Sequence, residues 1–370
     1  MIRIALTFAF LLSTIFVRAS DERPPTNPSF EYEVVRVHEL KPHRRTIPLK
    51  GVRAGFNQLH LTLTVSPTGD VIDVDANGDK DAVKFWPQVE GEVRQWKFTP
   101  FELNGNPVTA EIEEYIDLVP PERLPKKHVV PPALGPNSKV SISLQRSGCY
   151  GTCPSYMVTV STSGIVFEGD FYVVAQGKHA AITDAKKVRD LAKRFVAADF
   201  YSMDEKYVAS VTDNPTYVLS IDVDGQTKKV EDYAGEWEGM PAVIGELENE
   251  VDSFAGTERW IKGGEGLVDA LQAERFNFQS LEGQTMLKEA ASRGQAETVH
   301  ELVAAGVPLD SLPAPKLNKQ EVRAPSDSVG LLASASRNLQ TLQILIDSGV
   351  SRNNQSDKDM ALLYAAGSGK

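Results

Sequence analysis

The chain has 370 residues, with 39 Lys and Arg against 50 Asp and Glu, and its formal net charge is −11 at pH 7. An acidic chain without a basic run does not suit the phosphate backbone of nucleic acids or an anionic lipid surface. The length predicts roughly two or three domains, and a hydrophobic content of 41% is ordinary for a globular protein.

The first twenty residues have the pattern of a secretory signal peptide. Arg3 gives a basic start, residues 4–17 are apolar, and Val17-Arg18-Ala19 ends the run with the spacing that signal peptidase accepts. We therefore predict a signal peptide at residues 1–20, with cleavage near Ala19 and a periplasmic or secreted mature chain. A membrane-spanning helix needs about 20 apolar residues, so an uncleaved anchor is the less favoured alternative.

Proline-rich stretches mark the predicted domain boundaries. Residues 119–138 are rich in proline, which favours extended backbone over a packed element, and we predict a linker there. The linker separates a first domain at residues 31–118 from a second at residues 139–260. A third domain is predicted at residues 266–370.

The first domain is predicted to be α+β, a small antiparallel sheet with a helix on one face. Residues 59–65 alternate between apolar and polar side chains, which predicts a half-buried strand, and a second strand follows a turn. Residues 81–93 have helical spacing. Two further strands are predicted around the strong turn signal Asn104-Gly105, with Trp96 and Phe98 pointing inward.

This first domain resembles the C-terminal domain of TonB-type energy transducers over about residues 50–118. The matching residues are Trp96, Phe98, Pro100, Asn104-Gly105 and Val108. The resemblance implies a periplasmic domain that receives a partner's peptide as an added strand. The chain has no long proline-rich rod, so a binding role is favoured over TonB-type energy coupling with an uncleaved anchor.

The middle domain is also predicted to be α+β, with five strands and two helices. A strand at residues 138–148 is followed by a hairpin that turns at Ser163-Gly164. Helical spacing follows Thr183, a good N-cap residue. A second hairpin turns at Asp224-Gly225, and Pro241 is well placed to begin the last helix.

The middle segment, about residues 139–260, resembles an uncharacterised family of bacterial secreted domains with the signature C-[FY]-G-x-C-P-x-Y. The matching residues are Cys149, Tyr150, Gly151, Cys153, Pro154 and Tyr156. Further matches occur at residues 212–216 and at Asp232-Tyr233. The resemblance implies no established activity.

Cys149 and Cys153 are the only cysteines of the chain. A catalytic dithiol usually has two residues between its sulfurs and precedes a helix, whereas here three intervene and the next residues predict a strand. Zinc needs about four ligands, and the histidines are scattered. Thiols in an oxidising compartment normally pair, so we predict a disulfide, with redox chemistry, a metal site or free thiols as alternatives.

No other residue pattern predicts a catalytic, cofactor-binding or metal site. Asp73 and Asp75 fit the start of an EF-hand loop, but Lys84 stands where calcium requires a glutamate. His179 is interpreted as a surface or hydrogen-bonded histidine, and Asp213 as a turn former. Asp232 and its neighbour can line a cleft, although an ordinary strand end is the preferred interpretation.

The last domain resembles divergent ankyrin repeats and is predicted to be an all-α stack. The first copy carries Gly283, Thr285, Leu287, Ala290, Ala291 and Gly294 at ankyrin positions. Its second helix is predicted at residues 297–304. After an insert at residues 311–327, a second copy carries Leu331, Ala335 and Gly349. A third copy opens at Asp359 and is incomplete, so we expect either that the natural protein continues or that this last turn is frayed.

These patterns predict an exported, non-catalytic interaction protein of the bacterial envelope. Its protein partner would bind the ankyrin stack and, as a second site, the TonB-like domain, without a cofactor. No nucleic-acid binding and no membrane insertion after signal cleavage are predicted. One alternative is an envelope enzyme, a hydrolase or thiol exchanger, carried by the middle domain. The other is energy coupling through an N-terminal anchor.

Overall fold

The structure, a computed structural model, describes residues 35, 38–41, 43, 45–309 and 338–350. The predicted signal peptide at residues 1–20, the insert at residues 311–327 and the third predicted repeat lie outside the described residues. Within the described part of the chain, no helix combines the length and the apolar composition needed to cross a bilayer.

The chain divides into two compact units. The first unit takes the described residues up to 45 together with residues 58–117. The second takes residues 46–57, which include the short strand β1 (Thr46–Pro48), and the described residues from 118 onward.

The first unit is built on antiparallel strands. Its elements are β2 (Gln58–Val65), β3 (Val71–Gly78), α1 (Lys80–Val83), α2 (Trp86–Val93), β4 (Glu102–Leu103), β5 (Asn106–Pro107) and β6 (Ala110–Val119). Strand β2 lies between β6 and β3 and pairs antiparallel with both, so that Leu61 is opposite Glu114 on one side and Ala76 on the other.

Hydrophobic alternation explains the central strand of the first unit. Leu59, Leu61 and Leu63 are fully buried, because alternate side chains of a strand point to the same face. Trp96 and Phe98 are buried as predicted. The turn at Asn104-Gly105 joins only the two-residue strands β4 and β5. The long strand β6 pairs with β2 instead of continuing that hairpin.

The second unit is organised around a seven-stranded sheet in the order β10-β9-β8-β7-β12-β13-β11. Its strands are β7 (Val140–Arg146), β8 (Ser155–Ser161), β9 (Gly164–Phe171), β10 (Gly177–Ala181), β11 (Lys206–Val208), β12 (Thr216–Val223) and β13 (Gln226–Tyr233). The neighbouring strands pair antiparallel, except that β11 runs parallel to β13.

Helices α3 (Ala185–Ala197) and α4 (Ala242–Ala255) pack their apolar stripes against this sheet. The N-cap of α3 is Asp184 rather than the predicted Thr183, because the Asp184 carboxylate accepts a hydrogen bond from the Lys186 amide at 2.7 Å. Helix α4 begins at Ala242, and Pro241, the predicted first helical residue, is its N-cap. The Glu122 carboxylate accepts a hydrogen bond from its first amide, that of Ala242, at 2.9 Å.

The remaining helices are α5 (Glu258–Lys262), α6 (Leu267–Ala273), α7 (Leu281–Ser292), α8 (Ala296–Ala304) and α9 (Leu339–Asp347). Their buried side chains belong to the same hydrophobic core as the sheet, a core that extends from Val140 to Val350. Trp260 of α5 stacks on Phe167 of β9 with ring centroids 6.0 Å apart.

The predicted fold class, two α+β domains followed by a separate all-α ankyrin stack, is therefore wrong. The described chain is mixed α/β, and its C-terminal helices continue the core of a large multi-stranded sheet. The alanine and glycine spacing predicts a pair of short helices, and helices α7 and α8 confirm this pair. That spacing carries no information about the surface on which such helices pack.

Candidate functional site

Three segments that the sequence analysis singled out meet at one end of the seven-stranded sheet. Residues 147–154 connect β7 to β8, residues 209–215 lead from β11 into β12, and Tyr233 ends β13. We call residues 147–154 and 209–215 together the loop end. Antiparallel pairing places these connections side by side, because β7, β8, β12 and β13 are neighbours in the sheet.

A disulfide joins Cys149 to Cys153, with their Cα atoms 5.4 Å apart, so the connection between β7 and β8 contains a small covalent ring. Gly151 within the ring has a φ of 152°, a value that glycine adopts without a steric penalty. No free cysteine occurs among the residues that the structure describes. The ring restrains the backbone on both sides of Tyr150.

Hydrogen bonds tie the two loops of the loop end together. The Tyr150 amide donates to the Asp213 carbonyl at 3.3 Å, and the Ser147 amide donates to the Thr216 carbonyl at 2.9 Å. The Thr216 amide in turn donates to the Ser147 hydroxyl at 2.8 Å. The phenol of Tyr233 donates to the Val211 carbonyl at 3.1 Å.

The side chain of Tyr150 nevertheless stands in solvent, with 90% of its surface exposed. Phe171, the last residue of β9, is 54% exposed at the same end of the sheet, where it lies opposite Ser155 in the strand register. In a folded protein, most large aromatic side chains are buried, so two exposed ones at the same end of a sheet are unusual. The loop end therefore displays aromatic surface on a restrained backbone.

A row of polar and aromatic side chains crosses the sheet directly beneath the loop end. Tyr156, Arg146, Tyr217 and Asp232 are register partners on the successive strands β8, β7, β12 and β13. Arg146 is the last residue of β7, and Tyr156 is the second residue of β8. The guanidinium carbon of Arg146 lies 4.1 Å from the ring centroid of Tyr217, a cation–π contact.

Helix α4 places Asp252 over this row. Arg146 Nη2 and Nε lie 2.9 Å and 3.0 Å from Asp252 Oδ2. The phenol of Tyr156 donates to Oδ1 of the same carboxylate at 2.7 Å, and the hydroxyl of Thr257 donates to it at 2.9 Å. Both Asp252 oxygens are thus engaged by donors, and both stems of the disulfide loop are bonded to one helix.

Glu248 lies one turn earlier on α4 and is 3% exposed. Its Oε2 is 4.0 Å from Arg146 Nη1, and its Oε1 has no hydrogen-bond partner. The pKa of Glu248 is raised to about 8, mainly by burial and also by the nearby Asp232 and Asp252 carboxylates, against the opposing effect of Arg146. Glu248 is therefore mainly protonated at neutral pH.

Burial and neighbouring charges also shift the pKa values of Tyr156, Arg146 and Asp232. Burial raises the pKa of the Tyr156 phenol, and the Asp252 carboxylate adds to that effect. Burial lowers the pKa of Arg146, but the surrounding tyrosines and carboxylates outweigh it and the net shift is upward. Burial raises the pKa of Asp232, which accepts a hydrogen bond from the Gly235 amide at 2.7 Å. The row thus provides one cation, Arg146, and a phenol donor, Tyr156, and both already donate hydrogen bonds to Asp252.

An open cavity of about 450 Å³ lies beside the loop end. Its lining residues are Gln145, Arg146, Ser155, Tyr156, Met157, Glu168, Gly169, Asp170, Gly177 and Lys178. Across the described ranges, no three His, Cys, Asp or Glu side chains form a group that could hold a metal ion.

His179, on β10, is buried away from the loop end and is hydrogen-bonded. Its Nδ1 lies 2.7 Å from Glu274 Oε1, its Nε2 lies 3.1 Å from the Gln176 carbonyl, and its ring stacks on Trp260 at 4.6 Å. Asp213 occupies a tight turn with a φ of 71°. Asp232 lies under α4 with its carboxylate buried.

Sequence reasoning missed Arg146, Glu248 and Asp252. The helical spacing of the apolar stripe on α4 offered one signal, because Ile244, Val251 and Glu248 share a face. A charged residue on a buried helical face needs a group of opposite charge beside it, and no local sequence pattern indicated that Arg146 is this group.

Residues 140–255 match the model of a family described as a domain of unknown function (DUF6438). The matched interval contains the disulfide loop, the polar row, and Glu248 and Asp252 of α4. It confirms a domain of unknown function in this part of the chain, whereas the TonB-type resemblance and the cysteine signature stay predictions. No curated protein and no solved structure matches the chain.

The first unit holds a separate buried charge cluster. Arg45 pairs with Glu39 and, through its Nε at 2.9 Å, with the fully buried Glu114. His43 stacks on Trp96 with ring centroids 4.5 Å apart, and burial lowers its pKa. The guanidinium satisfies both carboxylates, so this cluster has the character of a structural ion pair.

Proposed function

We propose that this chain is an exported, non-catalytic binding protein of the bacterial envelope, and that the loop end receives a protein partner. The observation that carries the proposal is the exposed side chain of Tyr150 on a backbone closed by the Cys149–Cys153 disulfide. Tyrosine is enriched among the residues that contribute most to protein interfaces.

The restraint on the loop supports a binding role energetically. Ordering a flexible loop at an interface opposes association, so a loop that is ordered beforehand binds more tightly. The disulfide, the bond between Tyr150 and Asp213, and the attachment of both stems to Asp252 order this loop before any partner arrives. A tyrosine side chain has few rotatable bonds, which reduces the remaining entropic cost.

The polar row does not favour the alternative of an envelope enzyme. A general base or nucleophile must reach its substrate, and Asp252 is engaged by Arg146, Tyr156 and Thr257, while Glu248 is buried. A thiol exchanger gains reactivity from a helix N-terminus, whereas strand β8 follows Cys153. These features support a structural disulfide and a structural ion pair.

Export is supported by two independent features of the chain. The N-terminal sequence has the basic, apolar and small-residue regions of a signal peptide. Disulfides persist in oxidising compartments and are rare in reducing ones, so the Cys149–Cys153 bond fits an exported chain.

The outer edge of β3 is a second candidate site for a partner. This strand ends the sheet of the first unit, and Ile72 on it is 56% exposed. An edge strand has unpaired backbone donors and acceptors and can receive an extended peptide as an added strand.

Partner capture from envelope fractions tests the loop-end proposal. The oxidised mature chain, its Tyr150→Ala variant and an Ile182→Ala control are used as bait. Ile182 is a matched control because it is 99% exposed and follows β10 at the opposite end of the sheet. The proposal expects specific protein partners with the wild type and the control, and their loss with Tyr150→Ala. Equal capture by all three baits would refute it.

A further inference from the structure

Glu248 faces charged or titratable groups from every element packed around it. These groups are Asp232 on β13, Arg146 on β7 and Asp252 on its own helix. The phenols of Tyr156 on β8 and Tyr217 on β12 act in turn on Arg146. Arg146 is the one cation among them. A proton on Glu248 therefore decides whether a further carboxylate charge competes with Asp252 for this single guanidinium.

The cluster is connected directly to the loop end. Arg146 immediately precedes residues 147–154, Tyr156 follows them within two residues, and both side chains bond to Asp252. If the hydrogen bonds between Arg146 and Asp252 weaken, the strand end that leads into the disulfide loop loses its attachment to helix α4. Glu248 Oε2, at 4.0 Å from Nη1, is the nearest competitor for that guanidinium.

Ionisation of Glu248 would leave a buried charge without adequate partners. Its Oε1 has no hydrogen-bond partner, and a buried ionised carboxylate without compensation is strongly unfavourable. The available response is a shift of the Arg146 guanidinium toward Glu248, which lengthens its bonds to Asp252. The neutral carboxyl carries no charge that attracts the guanidinium, so Arg146 stays bonded to Asp252.

We propose that the protonation state of Glu248 controls the order of the disulfide loop. The neutral side chain leaves Arg146 bonded to Asp252 and keeps both loop stems fixed. The ionised side chain draws the guanidinium away from Asp252 and loosens residues 147–154. This control concerns the conformation of the chain itself, so it does not depend on the proposed partner.

The proposed loosening of residues 147–154 occurs in weakly alkaline solution. Burial, Asp232 and Asp252 together place the pKa of Glu248 at about 8, although Arg146 lowers it. The loop is thus ordered at neutral and acidic pH and mobile above that range.

Amide hydrogen exchange of the full mature chain between pH 6 and 9 tests this control. The reporters are the amides of Ser147 and Tyr150, after correction for the intrinsic pH dependence of exchange. Wild-type exchange should accelerate about tenfold between pH 7 and 9, as the ionised fraction does across two pH units centred on the pKa. Glu248→Gln should remove the acceleration, and the control Glu246→Gln, on the exposed side of α4, should keep it.

An acceleration that persists in Glu248→Gln overturns the proposal. A second measurement needs no variant: the side-chain carbonyl of Glu248 is titrated by NMR in the wild-type chain together with the two amides. The proposal expects one common alkaline midpoint. Amide signals that stay constant while Glu248 titrates would equally overturn it.

Discussion

The Arg146 guanidinium lies 2.9 Å from the Asp252 carboxylate and joins the last residue of a sheet strand to the body of helix α4. Tyr156, on the far side of the disulfide loop, donates to the same carboxylate at 2.7 Å. One side chain of one helix therefore fixes both stems of the loop that displays Tyr150. This relationship connects the buried cluster to the exposed surface and leads to the following predictions.

Replacing Asp252 by Asn should lower the free energy of unfolding by about 3 kcal/mol, because breaking a buried ion pair leaves the other charge without a partner. Urea denaturation followed by circular dichroism measures the change. The control Asp170→Asn alters an exposed carboxylate that accepts a bond from the Ser155 hydroxyl at 3.2 Å, and it should have little effect. Equal stabilities of the two variants would argue against a stabilising ion pair between Arg146 and Asp252.

The unfolding free energy of the wild type should fall as pH rises through the range in which Glu248 titrates. Its pKa is 4.5 in an unfolded chain and about 8 in the folded chain, because of burial and neighbouring carboxylates. Between these values the folded chain holds a proton that the unfolded chain has lost, so folding weakens with pH and levels off above pH 8. Urea titrations at pH 5, 7 and 9 measure the slope.

The variant Glu248→Gln should lose that contribution and gain stability relative to the wild type at pH 9, on the order of a few kcal/mol. Glu246→Gln should retain the wild-type slope. A slope that is identical in all three proteins would exclude Glu248 as its origin.

The double variant Cys149→Ser/Cys153→Ser should remain folded and lose about 2 kcal/mol of stability, the chain-entropy effect expected for so small a loop. Calorimetry of the oxidised wild type and the variant gives this difference. The wild type in reductant serves as a second reference. A variant that does not fold would assign the disulfide a larger structural role than its ring size predicts.

Local patterns predicted much of the fold. The alternation in β2 and the turn at Asp224-Gly225 occur where the sequence indicated. The other predicted hairpin turns one residue earlier than expected, at Thr162-Ser163, and α4 begins one residue later than expected, after Pro241. Strands β10 and β11 were missed, because short polar segments become strands only through pairing with neighbours that are distant in sequence.

The site was predicted less well than the strands. The sequence predicted the disulfide between Cys149 and Cys153, because these are the only two cysteines of the chain and the predicted compartment is oxidising. Arg146, Glu248 and Asp252 become a cluster only through sheet register and helix packing, and these are tertiary facts. The helices after residue 260 were assigned to a separate stack for the same reason: an apolar helical face does not reveal what it covers.

His179 should contribute to the attachment of the C-terminal helices to the sheet. The variant His179→Phe keeps an aromatic ring against Trp260 but removes the donor to Glu274, which should cost about 2 kcal/mol for a buried group left without its partner. Urea denaturation measures it. Lys178→Gln, which breaks only an exposed pair with Glu168, should change stability by less than about 1 kcal/mol. The opposite ranking would contradict this role.

Site-specific photo-crosslinking in living cells tests the loop-end proposal most directly. A photoreactive phenylalanine analogue replaces Tyr150 in one strain and Ile182 in another, and the products are resolved by mass spectrometry. The account predicts a discrete adduct with an envelope protein from position 150, none from position 182, and loss of that adduct in the Cys149→Ser/Cys153→Ser background. The same adducts from both positions, or no adduct from position 150, would contradict it.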